Sequence, residues 1–410
     1  MAERTRARAA LANPLGEPPP TLLASSLLRL RLVAVSAAIV ALALASPSVS
    51  AGYDFALEVP RREGTEADPF AEYFAQRQLR DNSSSGSVTF FVIGDWGRDG
   101  AHGQREVAEA MAKIASSDSG DDGADPLAFV ISTGDNFYNQ KGGGLSSVDD
   151  DQFDTSFASM YSKDALAVPW FAVLGNHDYG DISGCSNGTS GDSQCGSIQP
   201  SESRSPDYQI NPWLRKQRDW RWFCERYYAV SITPFLRIVF MDTSPFINEY
   251  YNYSWAFDVE GGLASQSIAD QLNFAASALE SNDGNASGGG ENIRAWKFVV
   301  GHHPVYSNGY RGGQSDVRDV LGGLLRQSDV AFYVNGHDHD LQHIYPNDST
   351  THFITSGAGS KTGRGFGTLD TKFEYDASGF AAFTVRPNDV TLRFYDANAN
   401  QIYEQMFRRS

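Results

Sequence analysis

Cysteine is nearly missing from the 410-residue chain: Cys185, Cys195 and Cys224 are the whole complement, so no disulfide framework holds a domain of this size. No internal repeat is present, which sets aside solenoids and propellers. After Arg31 there is no run of Lys or Arg, and 33 Lys plus Arg against 50 Asp plus Glu give a net charge of −17. An acidic surface of that kind repels a phosphate backbone and argues against nucleic-acid binding. The chain also lacks a long hydrophobic run: the longest, from Leu32 to Ala45, falls short of the roughly 20 residues a bilayer span needs.

The remaining composition is that of a folded enzyme, with 41% hydrophobic, 12% aromatic and 20% charged residues. Arg4, Arg6, Arg8, Arg29 and Arg31 precede the apolar run, and Val49-Ser50-Ala51 follows it. That order of basic, apolar and small residues predicts a cleaved secretory signal over residues 1–51, with a signal-anchor or an organellar presequence as the alternatives. Residues 52–87 are polar and read as a connector with one short helix from Asp68 to Arg80. A catalytic domain then fills residues 88–410. Export agrees with five glycan acceptor patterns, at Asn82, Asn187, Asn252, Asn285 and Asn347. Cys185 and Cys195 flank a Gly/Ser-rich loop and could close it, which leaves Cys224 as a small buried hydrophobe.

From Val88 onward, short β-rich runs end in Gly-polar clusters and alternate with helical stretches. Val88–Ile93 ends at Gly94-Asp95-Trp96-Gly97, and Leu127–Thr133 at Gly134-Asp135-Asn136-Phe137-Tyr138. Trp170–Leu174 ends at Gly175-Asn176-His177-Asp178, Trp296–Val300 at Gly301-His302-His303-Pro304, and Ala331–Asn335 at Gly336-His337-Asp338-His339. Helices are predicted at 104–116, 152–161, 265–280 and 316–326, and further strands at 352–356, 379–386, 389–395 and 402–407. The expected fold class is α/β: one domain of two packed mixed sheets flanked by helices. Its polar residues are delivered past the C-terminal ends of the strands, where such sheets place ligands.

Histidine tests this reading independently, because five of the eight, His177, His302, His303, His337 and His339, fall at those strand ends. His102, His343 and His352 read as ordinary hydrogen-bonded residues. A lone Gly-Asp at a strand end is more often a turn or a helix cap, but five such clusters in one chain are not. The carboxylates Asp95 and Asp135 and the phenol of Tyr138 suit a hard, highly charged cation. The amide of Asn176 and the imidazoles of His302, His337 and His339 suit a divalent one. An Asp between two metals about 3.5–4 Å apart bridges them, and Asp135 is the natural bridge because Tyr138 lies one turn away. Such a pair of cations makes the site locally positive within an acidic protein.

These motifs, from about Val88 to Phe407, resemble the calcineurin-like metallophosphoesterases, and within them the small purple acid phosphatases of the tartrate-resistant type. Met241-Asp242-Thr243 and Thr355-Ser356-Gly357-Ala358-Gly359 also match in order. The resemblance implies a four-layer α/β/β/α sandwich. It further implies Fe(III) on Asp95, Tyr138 and His339, a bridging Asp135, and a second divalent metal (Fe, Zn or Mn) on Asn176, His302 and His337. Tyr138 separates this group from the protein Ser/Thr phosphatases, which lack the tyrosinate and carry Asp-x-His in the first motif, where Gly97 stands here. Three departures are visible: His303 stands where the mammalian enzymes have Tyr, Asp340 stands where Asn is common, and the cysteines of the Gly184–Pro212 loop do not follow the mammalian pattern.

The expected activity is hydrolysis of small phosphate monoesters at acid pH by a metal-activated hydroxide, with phosphoproteins or nucleotides as further candidate substrates. His177 is the first choice of proton donor, oriented by Asp178, and His303 is the second. A phosphodiesterase on the same scaffold, acting on nucleotide or lipid diesters, and a catalytically silent binding glycoprotein are the competing readings. A monomer in the secreted, endomembrane, lysosomal or vacuolar space is expected, without a stable membrane span once the signal is removed.

Overall fold

The computed structural model describes residues 55–60, 70–80, 86–117, 126–138, 143–180, 204–253, 255–280 and 294–409. The targeting segment, Cys185, Cys195 and the acceptors Asn82, Asn187 and Asn285 lie outside them. Asn252 and Asn347 lie inside and are exposed.

Strands such as Val88–Ile93, Leu127–Ser132 and Phe332–Asn335 are buried along their whole length, as parallel strands covered on both faces must be. Their side chains alternate between two cores. Phe90, Val92, Phe129, Ile131, Phe298 and Val334 fill a layer between two sheets, while Phe91, Ile93, Val130 and Val299 belong to a second core shared with the helices. One sheet runs in the order Ala56–Glu58, Tyr227–Thr233, Leu236–Met241, Trp296–Val300, Phe332–Asn335, His352–Ser356, Leu341–Ile344 and Phe373–Tyr375. The other runs in the order Gln401–Arg408, Asp389–Asp396, Gly379–Val385, Val88–Ile93, Leu127–Ser132, Trp170–Ala172 and Trp222–Cys224.

Both sheets are mixed. Val88–Ile93 pairs parallel with Leu127–Ser132, which pairs parallel with Trp170–Ala172. In the other sheet Trp296–Val300 pairs parallel with Phe332–Asn335. Helix Gln104–Ser117 turns Val107, Met111 and Ile114 inward, and helices Ile268–Glu280 and Ser315–Gln327 do the same with Ala275, Leu279, Val317, Leu321 and Leu325. The 3.6-residue spacing of those apolar positions is what makes each segment a helix with one buried stripe.

Three sequence expectations need correction here. The connector contributes structure: Ala56–Glu58 pairs antiparallel with Tyr227–Thr233, and the helix Ala71–Arg80 is preceded by Phe70 and carries Phe74, both buried between the sheets. Its apolar residues are few but large, which is why composition alone reads as a linker. The segment expected as a helix over 152–161 begins with one α-turn and continues as π-helix over Asp154–Ala158. Finally, the strands at 222–224, 227–233, 236–241, 341–344 and 373–375 extend the two sheets beyond what the sequence announced, with 222–224 and 373–375 each forming an edge.

His343 and His352 do pack as ordinary residues, yet they carry a pH signature. His343 Nδ1 lies 2.9 Å from the Tyr403 hydroxyl and its Nε2 lies 3.0 Å from His352 Nδ1. Burial, helped by neighbouring positive charge, pushes His343 down to about 3 and His352 down to about 4. Both stay neutral in the folded chain, while the unfolded chain takes up protons below about pH 6.5. Their contribution to stability is therefore intact above that value and is lost as the pH falls toward 4. Replacing His352 with Gln is expected to flatten the decline of the melting temperature between pH 6.5 and 4.5, recovering about 1–2 kcal/mol at the acid end. A slope equal to wild type in calorimetry would contradict this.

Candidate metal centre

The C-terminal ends of parallel strands from both sheets meet at one place, and the five polar clusters sit there. Asp95, Asp135 and His337 each adopt a left-handed backbone, with φ of +59°, +50° and +69°. Such a conformation costs a non-glycine residue roughly 1–2 kcal/mol, and strain of this kind concentrates at functional sites. Neighbouring glycines let the chain close in. A Cβ on Gly175 would stand 2.2 Å from Asp135 Oδ1, and one on Gly336 would stand 2.5 Å from Asp95 Oδ2.

The donor atoms fall into two groups that share one oxygen. In the first, Tyr138 Oη lies 2.9 Å from Asp95 Oδ1, 2.9 Å from Asp135 Oδ2 and 3.3 Å from His339 Nε2. His339 Nε2 is also 3.2 Å from Asp95 Oδ1. In the second, His302 Nε2 lies 3.4 Å from Asp135 Oδ2, 3.2 Å from Asn176 Oδ1 and 3.1 Å from His337 Nδ1. All seven residues are buried, and Asp135 Oδ2 belongs to both groups.

Outer hydrogen bonds decide which nitrogen faces inward. His302 Nδ1 donates to the Thr133 carbonyl at 2.9 Å, and His339 Nδ1 donates to the Lys361 carbonyl at 2.7 Å. Each Nε2 is thereby the nitrogen that faces the cluster, where it can give its lone pair to a metal that displaces its proton. The backbone N–H of His177 and of His337 fix the far oxygens of Asp135 and Asp95, at 2.8 and 2.9 Å.

The donor spacing is that of coordination edges. Ligands about 2.1 Å from one cation and at right angles to each other are about 3.0 Å apart, and the measured separations run from 2.9 to 3.4 Å. Two carboxylates converging on one phenol in a buried site also call for positive charge. Burial, then Asp135 and Asp95, push the Tyr138 phenol well above its ordinary range. Only a strongly charged cation among these donors would make a phenolate of it. Burial alone would lower His302, but the Asp135 carboxylate outweighs it and raises the imidazole to about 9. Burial alone would raise Asp135, but His302 and His177 outweigh it and hold that carboxyl well below the usual range. The residues fit a pair of cations.

The three expected catalytic residues part company. His177, on the turn His177–Tyr179, keeps 26% of its side chain exposed. Its ring sits 4.7 Å from that of Tyr138, and its Nε2 is 4.0 Å from Asp135 Oδ2. Asp178 does not orient it. That carboxylate accepts instead from the backbone N–H of Asn136, Phe137 and Gly175, at 2.9, 3.3 and 2.8 Å, and from the Gln209 amide at 2.8 Å. Burial, then Asp135, raise it to about 7. It braces the loop that carries Asp135, because the peptide groups of a strand-to-loop corner need acceptors and the next side chain in line supplies one.

His303 is likewise not placed as a proton donor. Thr243 Oγ1 accepts from the backbone N–H of His302 and His303, so its own proton goes to His303 Nδ1 at 2.9 Å, and His303 Nε2 meets the Tyr250 hydroxyl at 2.8 Å. Its ring lies beside His302 and His337, yet both nitrogens are engaged. Thr133, Lys361 and Tyr250 were not singled out in the sequence, and Thr243 only as part of a motif without a role, since their roles depend on contacts between distant parts of the chain. Cys224 is buried in Trp222–Cys224, and burial pushes its thiol well up, as expected of an inert residue. Among the described residues, no helix is long and apolar enough to cross a membrane.

Comparison with known proteins agrees with this geometry. Residues 88–341 match the family model for calcineurin-like phosphoesterases. Purple acid phosphatase 4 of Arabidopsis thaliana is 33% identical over 330 residues, covering 78% of this chain and 83% of the relative. Tartrate-resistant acid phosphatase type 5 of Oryctolagus cuniculus is 25% identical over 341 residues, covering 78% and 90%. Among solved structures, Plasmodium GAP50, described as the anchor in the inner membrane complex, superposes with a TM-score of 0.57 at 20% identity. That match covers 79% of this chain and 89% of GAP50, and it speaks to the fold alone.

Proposed function

Because the chain belongs to the calcineurin-like phosphoesterases, and within them to the purple acid phosphatases, we propose that its dinuclear centre is Fe(III) on Asp95, Tyr138 and His339 beside a divalent Fe, Zn or Mn on Asn176, His302 and His337, with Asp135 shared. The activity is that of a dinuclear-metal acid phosphatase. The observation that carries the metal assignment is the single oxygen, Asp135 Oδ2, standing within 3.4 Å of donors from both groups. The phenolate and the Asp95 carboxylate, with one imidazole, collect on one side of it, and two imidazoles with the amide on the other, as unlike cations prefer.

When bound, two adjacent cations neutralise an incoming phosphate and acidify water, so hydrolysis runs at low pH. The chain's own residues do the rest. Asp135, fixed by the His177 N–H, holds the two donor groups at one spacing. His339 and His302 keep their lone pairs inward through the Lys361 and Thr133 carbonyls. His177, partly exposed above Tyr138, is positioned to give a proton from its imidazole to the departing ester oxygen. Asp178 contributes by holding the Asp135 loop. Small phosphate monoesters are the proposed substrates, and the basic, apolar and small-residue order of residues 1–51 supports the reading of export to the extracellular or vacuolar space.

Visible absorption tests the assignment directly. Wild-type protein loaded with iron is expected to show a charge-transfer band in the visible range, and Tyr138→Phe is expected to lose that band while retaining a folded far-UV spectrum. A coloured Tyr138→Phe variant, or a wild type that binds no iron, refutes the proposal.

A further inference from the structure

Two arginines near the metal centre stand apart from the rest. Arg218, Arg221, Arg226, Arg237 and Arg393 each pair with a carboxylate at 2.5–2.9 Å. The Arg311 and Arg364 guanidiniums have no hydrogen-bond or ion-pair partner among the described residues, although the chain carries an excess of acid. Arg311 is exposed and Arg364 is half-buried. The charge of Arg311 interacts with Asp135, Tyr138 and Asp95, and that of Arg364 interacts with Arg311, Tyr138 and Asp95. Both therefore address the donor cluster from outside it.

Their loops are fixed in place. The Arg311 N–H donates to Asp338 Oδ1 at 2.7 Å, and Asp338 lies between His337 and His339. The N–H groups of Gly363, Arg364 and Gly365 all converge on the Asp376 carboxylate, at 2.8, 3.2 and 2.7 Å. Gly309 and Phe366 form a bridge, and Gly367 N–H donates to the Asn308 carbonyl at 2.6 Å, so the two loops are laced together. Arg98 takes a different part: its Nε donates to Ser360 Oγ and its guanidinium covers the Tyr138 ring at 3.5 Å.

The charge of Arg311 acts unfavourably on that of Arg364, and an anion bound by both would relieve that repulsion. Their planar forks match phosphate oxygens in pairs. Two metal ions already answer the charge of the phosphate being transferred, so further positive charge at the mouth calls for further negative charge on the substrate. We propose that Arg311 and Arg364 form a clamp that holds a second phosphate group carried by the leaving group, which makes this enzyme selective for phosphoanhydrides over esters of neutral alcohols. The inference rests on the phosphatase reading and adds its specificity determinants.

The test compares kcat/KM for inorganic pyrophosphate with that for 4-nitrophenyl phosphate, using metal-loaded full-length protein. In Arg311→Ala and in Arg364→Ala the ratio of the two is expected to fall at least about tenfold, mostly through KM for pyrophosphate. Arg311→Lys, which keeps the charge and loses the fork, falls between and serves if the alanine variant does not fold. Metal content equal to wild type shows that the change is not relayed through the centre. A ratio that moves less than twofold, or equal losses on both substrates, overturns the clamp. A metal-replete wild type inert toward both substrates instead defeats the phosphatase reading beneath it.

Discussion

Asp135→Ala is expected to lose both metal ions and at least about three orders of magnitude in kcat toward an aryl phosphate. One oxygen of Asp135 serves both donor groups, at 2.9 Å from Tyr138 and 3.4 Å from His302. Its other oxygen accepts the His177 N–H at 2.8 Å. Removing the side chain therefore separates the two donor groups and frees the turn that carries the proposed proton donor, His177. Metal ions in such centres supply several kcal/mol of charge stabilisation, and each 1.4 kcal/mol is about tenfold in rate. Because alanine fits the left-handed backbone poorly, Asp135→Asn is the companion variant: asparagine tolerates φ of +50° and can keep the His177 contact while losing the charge. Metal analysis and kcat on both variants decide the matter. Wild-type metal content in Asp135→Asn together with unimpaired turnover would show that the bridge is not needed.

Gly175→Ala should approach the same loss without removing any donor. The new methyl would stand 2.2 Å from Asp135 Oδ1 and 2.5 Å from the Asp135 backbone nitrogen, closer than real contacts allow, so the Asp135 loop must move. A displacement of about 1 Å at a reacting centre is enough for a 10²-fold loss. That loop has little freedom to yield elsewhere, since Asp178 ties Asn136, Phe137 and Gly175 together. The control is Gly323→Ala in helix Ser315–Gln327, where nothing lies within 4 Å of the added carbon. There activity should hold and stability should rise by up to about 1 kcal/mol from the better helix propensity. Turnover in Gly175→Ala within threefold of wild type would mean that the loop adapts and that the packing argument is wrong.

The candidate donor set was legible because its signal is local. A short apolar run followed by Gly and one of Asp, Asn or His reports a strand end with a ligand on it, and the strands Val88–Ile93 and Trp296–Val300 begin and end where the sequence pattern placed them. His102, His343 and His352 were separable from the others because they follow no such run. The strands Tyr227–Thr233 and Leu236–Met241, paired on both sides within their sheet, were not announced, since no Gly-polar cluster with ligand chemistry follows them. The arginines are a different omission: Arg311 precedes Gly312, and Arg364 stands between Gly363 and Gly365. An arginine in a glycine turn is a weak local signal, and only the absence of a carboxylate partner among the described residues makes it informative.

The roles of neighbouring residues were settled by contacts between distant parts of the chain. His177 and Asp178 are adjacent, yet one faces the metal centre and the other faces the backbone of residues 136–137. His302 and His303 are adjacent, yet one turns its Nε2 toward Asn176 and the donor cluster and the other is enclosed by Thr243 and Tyr250. By itself the sequence determined which side chains could ligate and that each sits just past a strand, because β-periodicity and glycine turns are properties of a few consecutive residues. Only the tertiary structure decided that Asp178 braces a loop, that His303 is locked and that Arg311 and Arg364 have no carboxylate partner among the described residues, because those facts depend on how two sheets and their loops pack against each other.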